Sequence, residues 1–212
     1  MALLDMVAAE RRRFADLIES LTPEQLASPS LCGAWTVHEV SAHVVAPFAG
    51  RPSWFLPLIL RSRLSLHRAN AELARRIAQR PAADLAAELR RNERNPFSPP
   101  VVGLFGQLTD LQVHRQDIRR PLGLPPDLDP ERVRTALDFV VGRRSLGFGS
   151  RRLRAGLRFV ATDLDWAAGD GPEVRGSAEA LLMALTGRRV ALPELTGEGA
   201  ELLRDRSVRV RT

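Results

Sequence analysis

The amino-acid sequence predicts a mainly α fold, with a helical bundle over residues 1–145 followed by a small α+β domain over residues 153–212. Through the first part, apolar residues recur at the spacing of amphipathic helices. In the second part, alternating runs typical of strands surround one helical run. The segment RSLGFGSRR, rich in glycine, serine and arginine, is the predicted linker between them.

Local start and stop signals place the helices of the first part. Thr22 precedes Pro23 at the first position of a short helical turn, and Thr36 with Glu39 makes the capping box that opens a later helix. A helix that contains the segment LTDLQVHRQDIRR should end before Pro121, because the residue before a proline disfavours the helical conformation. The predicted helices cover residues 2–20, 22–26, 37–47, 53–79, 82–92, 108–120 and 130–144.

The second part combines strand and helix signals. LRFVATDLDWAAG alternates like a strand, and GDGPEVRG reads as a turn followed by a second strand. SAEALLMALTGR is a helical pattern that Gly187 should end. DRSVRVRT closes the sequence with another alternating run, which is typical of a strand.

Composition and charge argue against several classes of protein. The net charge is +6, but its arginines are spread in pairs near acidic residues, so we predict no nucleic-acid partner. No run approaches 18 apolar residues, so we predict no membrane span. The first residues place charge after the apolar positions, the reverse of a secretory signal, and Cys32 is the one cysteine. We therefore predict a cytoplasmic protein without an intrachain disulfide.

Three potentially metal-binding side chains share one stripe of the helix over residues 108–120. His114 lies about 40° around the helix from Asp110, and Asp117 lies about 20° away on the other side. Asp110 and His114 thus form an acid-x-x-x-His pair of the kind that helical bundles use to hold metals. Asp117 is predicted either to orient an imidazole or to make a surface salt bridge.

A third ligand must come from another helix, and His43 is the best candidate. The capping box at Thr36 fixes the start of its helix, and His43 should face the bundle. His38 lies about 140° away around the same helix, and His67 is predicted on an exposed helix. Two imidazoles and one carboxylate suit zinc or another divalent metal. The alternative is that these residues are satisfied polar groups of the core. Cys32 is predicted to be a small packed residue, since no histidine partner is evident near it in the sequence.

Two motifs together resemble the mycothiol-dependent maleylpyruvate isomerase family. They are W-T-V-x-E-V-x-x-H, which ends at His43, and D-L-Q-V-H-R-Q-D-I-R-R-P-L-G, which begins at Asp110. The segment FVATDLDWAAGDGPEVRGSAEALLMALTGR is also similar to the small α+β C-terminal domain of actinobacterial members. The resemblance implies a DinB-like metal-binding four-helix bundle over the N-terminal part.

The resemblance further implies a metal held by His43, Asp110 and His114, with mycothiol as the thiol cosubstrate. Asp110 departs from the family, in which the acid is commonly glutamate. The implied activity is isomerisation or thiol transfer on a small electrophilic substrate, with zinc as the expected metal. The arginine that would bind a substrate carboxylate stays unassigned among Arg51, Arg61, Arg115 and the Arg188–Arg189 pair.

Two other functions stay open on the sequence. One is a non-catalytic helical module that binds a small molecule or a protein, and the other, favoured only by the charge, is a DNA-binding regulator. The C-terminal domain either covers the mouth of the metal site or mediates formation of a homodimer.

Overall fold

A computed structural model describes residues 2–33, 35–49, 66–98, 102–142, 145 and 147–209. It confirms the predicted fold class, because the chain is mainly helical and has a small sheet near the C-terminus. The helices are α1 (Leu3–Ser20), α2 (Pro23–Ala27), α3 (Val37–Ala49), α4 (Leu66–Ile77), α5 (Ala82–Arg91), α6 (Gly103–Arg119), α7 (Pro130–Val141), α8 (Arg151–Arg154), α9 (Ala178–Leu185) and α10 (Glu198–Arg209). The strands are β1 (Arg158–Ala161), β2 (Ala167–Ala168) and β3 (Glu173–Gly176).

The predicted helix starts are confirmed by their hydrogen bonds. The Thr36 hydroxyl accepts from the Glu39 amide at 3.2 Å, while the Glu39 carboxylate accepts from the Thr36 amide at 2.9 Å. Thr22 and Gln25 make a second capping box at α2. Helix α6 ends before Pro121, as predicted. The part of the predicted helix 53–79 that precedes residue 66 lies outside the described residues.

The chain divides into two compact units, Met1–Phe97 with His114–Pro125 and Ser98–Val113 with Pro126–Thr212. Helix α6 runs without interruption through this division. The domain boundaries predicted from the sequence, 1–145 and 153–212, stay a prediction.

The first unit has an apolar core made by four of its helices. Helix α1 packs against α5, and α3 packs against both α4 and α5. Fully buried residues from these helices include Val7, Phe14, Ile18, Val40, Leu85 and Leu89. The apolar spacing that predicted each helix therefore corresponds to one buried stripe.

The second unit contains a three-stranded sheet in the order β2-β1-β3. β1 pairs with β2 in an antiparallel and with β3 in a parallel arrangement, so that Phe159 is opposite Ala168 on one side and Val174 on the other. Ser177 caps helix α9, since its hydroxyl accepts from the Ala180 amide, and the helix packs against α7. Every residue of α9 is buried, which explains why its sequence is nearly all apolar.

The strand predicted for DRSVRVRT is wrong where the structure describes it, because residues up to Arg209 continue helix α10. This helix buries Ala200 and Leu203, whereas Val208 is 59% exposed. The Ser207 hydroxyl donates to the carbonyl of Leu203 one turn earlier. The alternation of valine and arginine thus does not correspond to a buried face, and the buried residues before it favour helix. Among the described residues, no helix is long and apolar enough to cross a membrane.

Two arginines of the first unit are buried beside oxygen acceptors. Arg11 of α1 donates to the carbonyls of Asn92, Glu93 and Asn95, at 2.7, 2.8 and 2.8 Å, and so holds the segment that follows α5. Burial lowers the pKa of Arg11 to about 10, which leaves it charged at neutral pH. Arg115 of α6 donates to Glu10 at 2.8 Å, and both side chains are completely buried. These contacts fasten α5 and the second half of α6 to α1.

Replacement of Arg11 by methionine should destabilise the first unit by about 3 kcal/mol, because buried carbonyls lose a charged donor. The neighbouring Arg12→Met is the matched control. Arg12 pairs with the Glu93 carboxylate at 3.2 Å but is 45% exposed, so its loss should change stability by less than about 1 kcal/mol. Urea denaturation of both variants measures the difference. Equal effects of the two substitutions would contradict the assigned role of Arg11.

Replacement of one partner of the Glu10–Arg115 pair should lower the stability of the protein more than replacement of both partners. Glu10→Leu leaves a buried charge on Arg115 and should destabilise the protein by about 3–5 kcal/mol. The double variant Glu10→Leu/Arg115→Met should be more stable than either single variant, because no charge is then buried alone. A double-mutant cycle by urea denaturation tests this, and additive effects would show that the two side chains do not stabilise each other.

Candidate metal centre

Helix α6 carries buried polar side chains on several sides, unlike an ordinary surface helix. Its buried polar residues are Thr109, Gln112, His114, Arg115, Gln116 and Asp117. Its apolar residues Leu108, Leu111, Val113 and Ile118 are buried as well. Residues 111–118 of this helix are all buried, so the partners of their polar side chains restrict where this part of the helix can lie. The predicted stripe of Asp110, His114 and Asp117 lies on this helix.

His114 is held by Asp117, one turn further along α6. Its Nδ1 atom lies 2.9 Å from Asp117 Oδ2, and the Asp117 side chain is completely buried. With Asp117 as the acceptor in this contact, the imidazole proton lies on Nδ1 and the lone pair on Nε2. Asp117 therefore has an orienting contact with an imidazole, while its role toward a metal stays a prediction.

His43 approaches His114 from helix α3. The two rings meet edge to face with their centroids 5.0 Å apart, and the Trp35 ring lies against His43 with centroids 5.1 Å apart. Trp35 lies just before the capping box. The hydrogen bonds that fix the start of α3 therefore also restrict where Trp35 lies relative to His43. Two imidazoles from different helices are thereby brought together within the first unit.

Asp110 lies one turn before His114 on α6. Candidate ligand atoms of His43, Asp110 and His114 all lie within 4.8 Å of one another. This arrangement depends on the hydrogen bonding of one continuous helix, which spaces Asp110 from His114, and on the contact of His43 with His114. The three residues predicted as ligands are thus neighbours, although their binding of a metal stays a prediction.

A second group consists of Cys32, His114 and Asp117, again with candidate ligand atoms within 4.8 Å of one another. Cys32 Sγ lies 2.9 Å from Asp117 Oδ2 and 3.4 Å from His114 Nδ1. This neighbourhood was not predicted, because Cys32 and His114 are separated by 82 positions along the chain. The sequence gives no periodic signal by which a loop residue could be paired with a distant helix.

His38, the remaining histidine whose side chain the structure describes, lies elsewhere. His38 Nε2 lies 3.0 Å from the carbonyls of both Ala78 and Arg80, so it donates to the chain that follows α4. The side chain of His67 lies outside the described residues. His38 and His43 thus extend from α3 toward different partners, in agreement with their predicted separation around the helix.

The arginines considered for substrate binding have different positions. Arg115 is buried against Glu10 and so points into the core of the first unit. Arg51 and Arg61 lie outside the described residues. Arg188 donates to the carbonyl of Thr186 in the second unit, and its neighbour Arg189 is exposed.

The donor set of His43, Asp110 and His114 is chemically suited to a divalent cation. Imidazole nitrogens and a carboxylate oxygen are the ligands of catalytic zinc sites, which keep at least one position open. A metal-bound histidine usually donates its other ring N–H to a carboxylate, and His114 does so to Asp117. The residues present therefore fit the metal that the sequence analysis expected.

Comparison with solved structures supports the fold. The structure is similar to the crystal structure of a mycothiol-dependent maleylpyruvate isomerase, with a TM-score of 0.60, 15% sequence identity and 94% of each chain covered. It is also similar to a histidine-to-alanine mutant of a mycothiol-dependent maleylpyruvate isomerase, with a TM-score of 0.59, 14% identity and the same coverage. At these identities the likeness concerns the fold.

Sequence comparison gives two relatives and a family. The chain is 28% identical over 142 residues to two uncharacterized proteins of Mycobacterium tuberculosis, from the strains CDC 1551 and H37Rv. The matched part is 60% of this chain and 73% of each relative. Residues 7–95 match the family model of the mycothiol maleylpyruvate isomerase N-terminal domain. This match covers the helical N-terminal part of the chain and supports the resemblance to the mycothiol-dependent maleylpyruvate isomerase family that the two motifs indicate.

Proposed function

We propose that this protein is a divalent-metal-dependent enzyme that uses mycothiol or a similar low-molecular-weight thiol. The enzyme would either isomerise a small electrophilic substrate or transfer the thiol to it. The observation that carries the proposal is the grouping of His43, Asp110 and His114, whose ligand atoms lie within 4.8 Å of one another. The family supports the choice of thiol, since the solved relatives are mycothiol-dependent isomerases.

His43, Asp110 and His114 would hold the metal, with zinc as the best match to two nitrogens and one carboxylate oxygen. When bound there, a divalent ion supplies a positive charge that favours the thiolate form of a thiol at neutral pH. Asp110 contributes one negative charge to the set, and its side chain is one methylene shorter than the glutamate common in the family. Asp117 keeps the Nδ1 proton of His114 in place, so that the Nε2 lone pair is the one presented for a ligand.

The substrate class follows from the thiol chemistry. A thiolate attacks an electrophilic carbon, and elimination of the same thiol returns an isomer, whereas retention of the thiol gives a conjugate. A maleyl-type dianion would also require a cationic side chain. Arg115 is unsuitable for that role because its charge is already neutralised by buried Glu10.

A reducing compartment suits such an enzyme, because both the thiol cosubstrate and Cys32 must stay reduced. We therefore keep the cytoplasm as the proposed location. Formation of a homodimer likewise stays a prediction.

Purified tag-free protein should contain about one divalent ion per chain, as a site with three protein ligands requires. His114→Ala and His43→Ala should each abolish most of this binding. His38→Gln is the matched control, because His38 lies on the same helix as His43 but donates to backbone carbonyls instead. Elemental analysis after zinc reconstitution measures the metal content, and circular dichroism checks that each variant is folded.

Failure of the reconstituted wild-type protein to bind any divalent metal would overturn the proposal. His43, Asp110 and His114 would then be polar residues of the core, and a non-catalytic helical binding module would be the better explanation. Equal loss of metal in His38→Gln would instead indicate that the histidine substitutions act through the fold.

Metal-loaded protein should accelerate the reaction of mycothiol with a small electrophile, and His114→Ala should lose this acceleration together with its metal. Two assays separate the two reaction types. Isomerisation of a maleyl-type dianion leaves the thiol concentration unchanged, whereas thiol transfer consumes one thiol for each product formed. Glutathione in place of mycothiol tests selectivity for the thiol. If the metal-loaded protein accelerates neither isomerisation nor thiol transfer above the non-enzymatic rate, this activity is excluded. The proposal of a metal site would not be affected by that result.

A further inference from the structure

Trp35 is a large aromatic residue that stays partly exposed beside a candidate metal ligand. Its ring lies against His43, with a centroid distance of 5.1 Å and an angle of 41° between the two planes. Trp166, by contrast, is 6% exposed, and its indole N–H donates to Asp138 at 2.7 Å. Within the part of the chain that the structure describes, the Trp35 indole N–H has no hydrogen-bond partner. Trp35 therefore keeps both part of its ring surface and a donor available for a ligand.

Hydrogen bonds restrain the backbone that carries the Trp35 indole. The amide and the hydroxyl of Ser30 both donate to the Trp35 carbonyl, at 3.0 and 2.8 Å. The Trp35 amide donates to the Cys32 carbonyl at 3.2 Å, across a turn in which Gly33 has a φ of 62°. Because the loop is already ordered in this way, little conformational entropy is lost when a ligand contacts the ring.

The exposure of the candidate ligands indicates the side from which a thiol reaches the metal position. His43 and Asp110 are partly exposed. His114 is 7% exposed, and the side chain of Asp117 behind it is completely buried. A ligand therefore approaches on the side of His43, against which the Trp35 ring lies. A thiol whose sulfur is at the metal position then extends the rest of its structure past these two rings toward solvent.

We propose that Trp35 is a specificity-determining residue that contacts the part of the thiol cosubstrate remote from its sulfur. Mycothiol carries saturated polyhydroxylated rings on an acetylated cysteine. Such rings have faces of C–H groups, which pack on an aromatic ring, and hydroxyl oxygens, which accept from an indole N–H. Trp35 offers both kinds of contact and so favours a thiol with such rings over a small thiol. The identity of the thiol rests on the proposed function.

The competing explanation is that Trp35 only supports His43. Loss of Trp35 would then impair the reaction of every thiol equally, because a metal ligand would be displaced. Direct contact with the rings instead predicts a loss that is confined to thiols that carry them. A comparison of two thiols within one variant therefore separates the two explanations, whatever the variant does to the metal site.

The decisive measurement is the ratio of kcat/KM for mycothiol to kcat/KM for N-acetylcysteine, with zinc-loaded protein and the same electrophile. N-acetylcysteine keeps the acetylated cysteine but lacks the rings. In Trp35→Ala this ratio should fall about tenfold, mainly through a higher KM for mycothiol, as expected for the loss of one aromatic contact. Trp35→Phe keeps a ring face and should show a smaller fall.

Trp166→Phe is the matched control for the kinetic comparison. It removes an indole whose N–H is already bound to Asp138 in the second unit, so the ratio should equal that of the wild type. An unchanged ratio in folded, active Trp35→Ala would overturn the proposal. A similar fall in Trp166→Phe would also overturn it, because the effect would then not be specific to Trp35.

A binding measurement tests the same contact without turnover. Mycothiol is added to zinc-treated protein in the absence of an electrophile, and saturation of the indole protons is followed by NMR. Saturation should pass to the ring protons of mycothiol in the wild type and in Trp166→Phe, but not in Trp35→Ala. If Trp35→Ala does not fold, Trp35→Leu keeps apolar bulk against His43 and serves instead. Absence of transfer in the wild type would overturn the proposal.

The two measurements distinguish failure of this proposal from failure of the proposed function. Transfer from Trp35 in a protein that accelerates neither reaction would refute the proposed activity and leave the contact with the thiol intact. Catalysis by the wild type together with an unchanged thiol ratio in Trp35→Ala would refute the contact alone.

Discussion

The burial of polar side chains along helix α6 is the constraint on which the candidate site depends. A buried polar group without a partner destabilises a protein by about 1–3 kcal/mol, so each of these residues restricts the elements around it. Arg115 pairs with Glu10 of α1, and Asp117 accepts from both His114 and Cys32. The part of the helix from His114 onward is therefore held at a fixed rotation within the first unit, because a small slide would separate several partners at once.

The loop before α3 transmits the same constraint to the second imidazole. Leu31 binds the backbone of Asp117, and Trp35, a few residues later, lies against His43. The capping box at Thr36 then fixes how α3 leaves this loop. His43 and His114 come from distant parts of the sequence, yet one short loop contacts the surroundings of both. His43 lies on α3, one of the helices that form the apolar core, so the packing of α3 also helps to hold this candidate ligand.

The sequence predicted those features that depend on local or periodic signals. The capping boxes, the end of α6 before Pro121 and the shared stripe of Asp110, His114 and Asp117 all follow from short spacings along the chain. The contacts of Cys32 and the pairing of Glu10 with Arg115 could not be predicted, since each joins residues far apart in sequence. The alternation in DRSVRVRT was misleading because alternation predicts a strand only where one face is buried, and Val208 is exposed.

The Asp110 position shows why the surrounding contacts matter more than the ligand residues alone. An aspartate reaches about one methylene less far than the glutamate common in the family, so the two imidazoles must be placed more accurately for all three ligands to meet. Such accuracy requires restricted side chains, since a ligand displaced by about 0.5 Å already departs from productive geometry. The contacts of Asp117 with His114 and of Trp35 with His43 supply that restriction from outside the ligand set. A shorter acid is therefore compatible with a metal centre here because the protein, rather than the metal, holds the histidines in place.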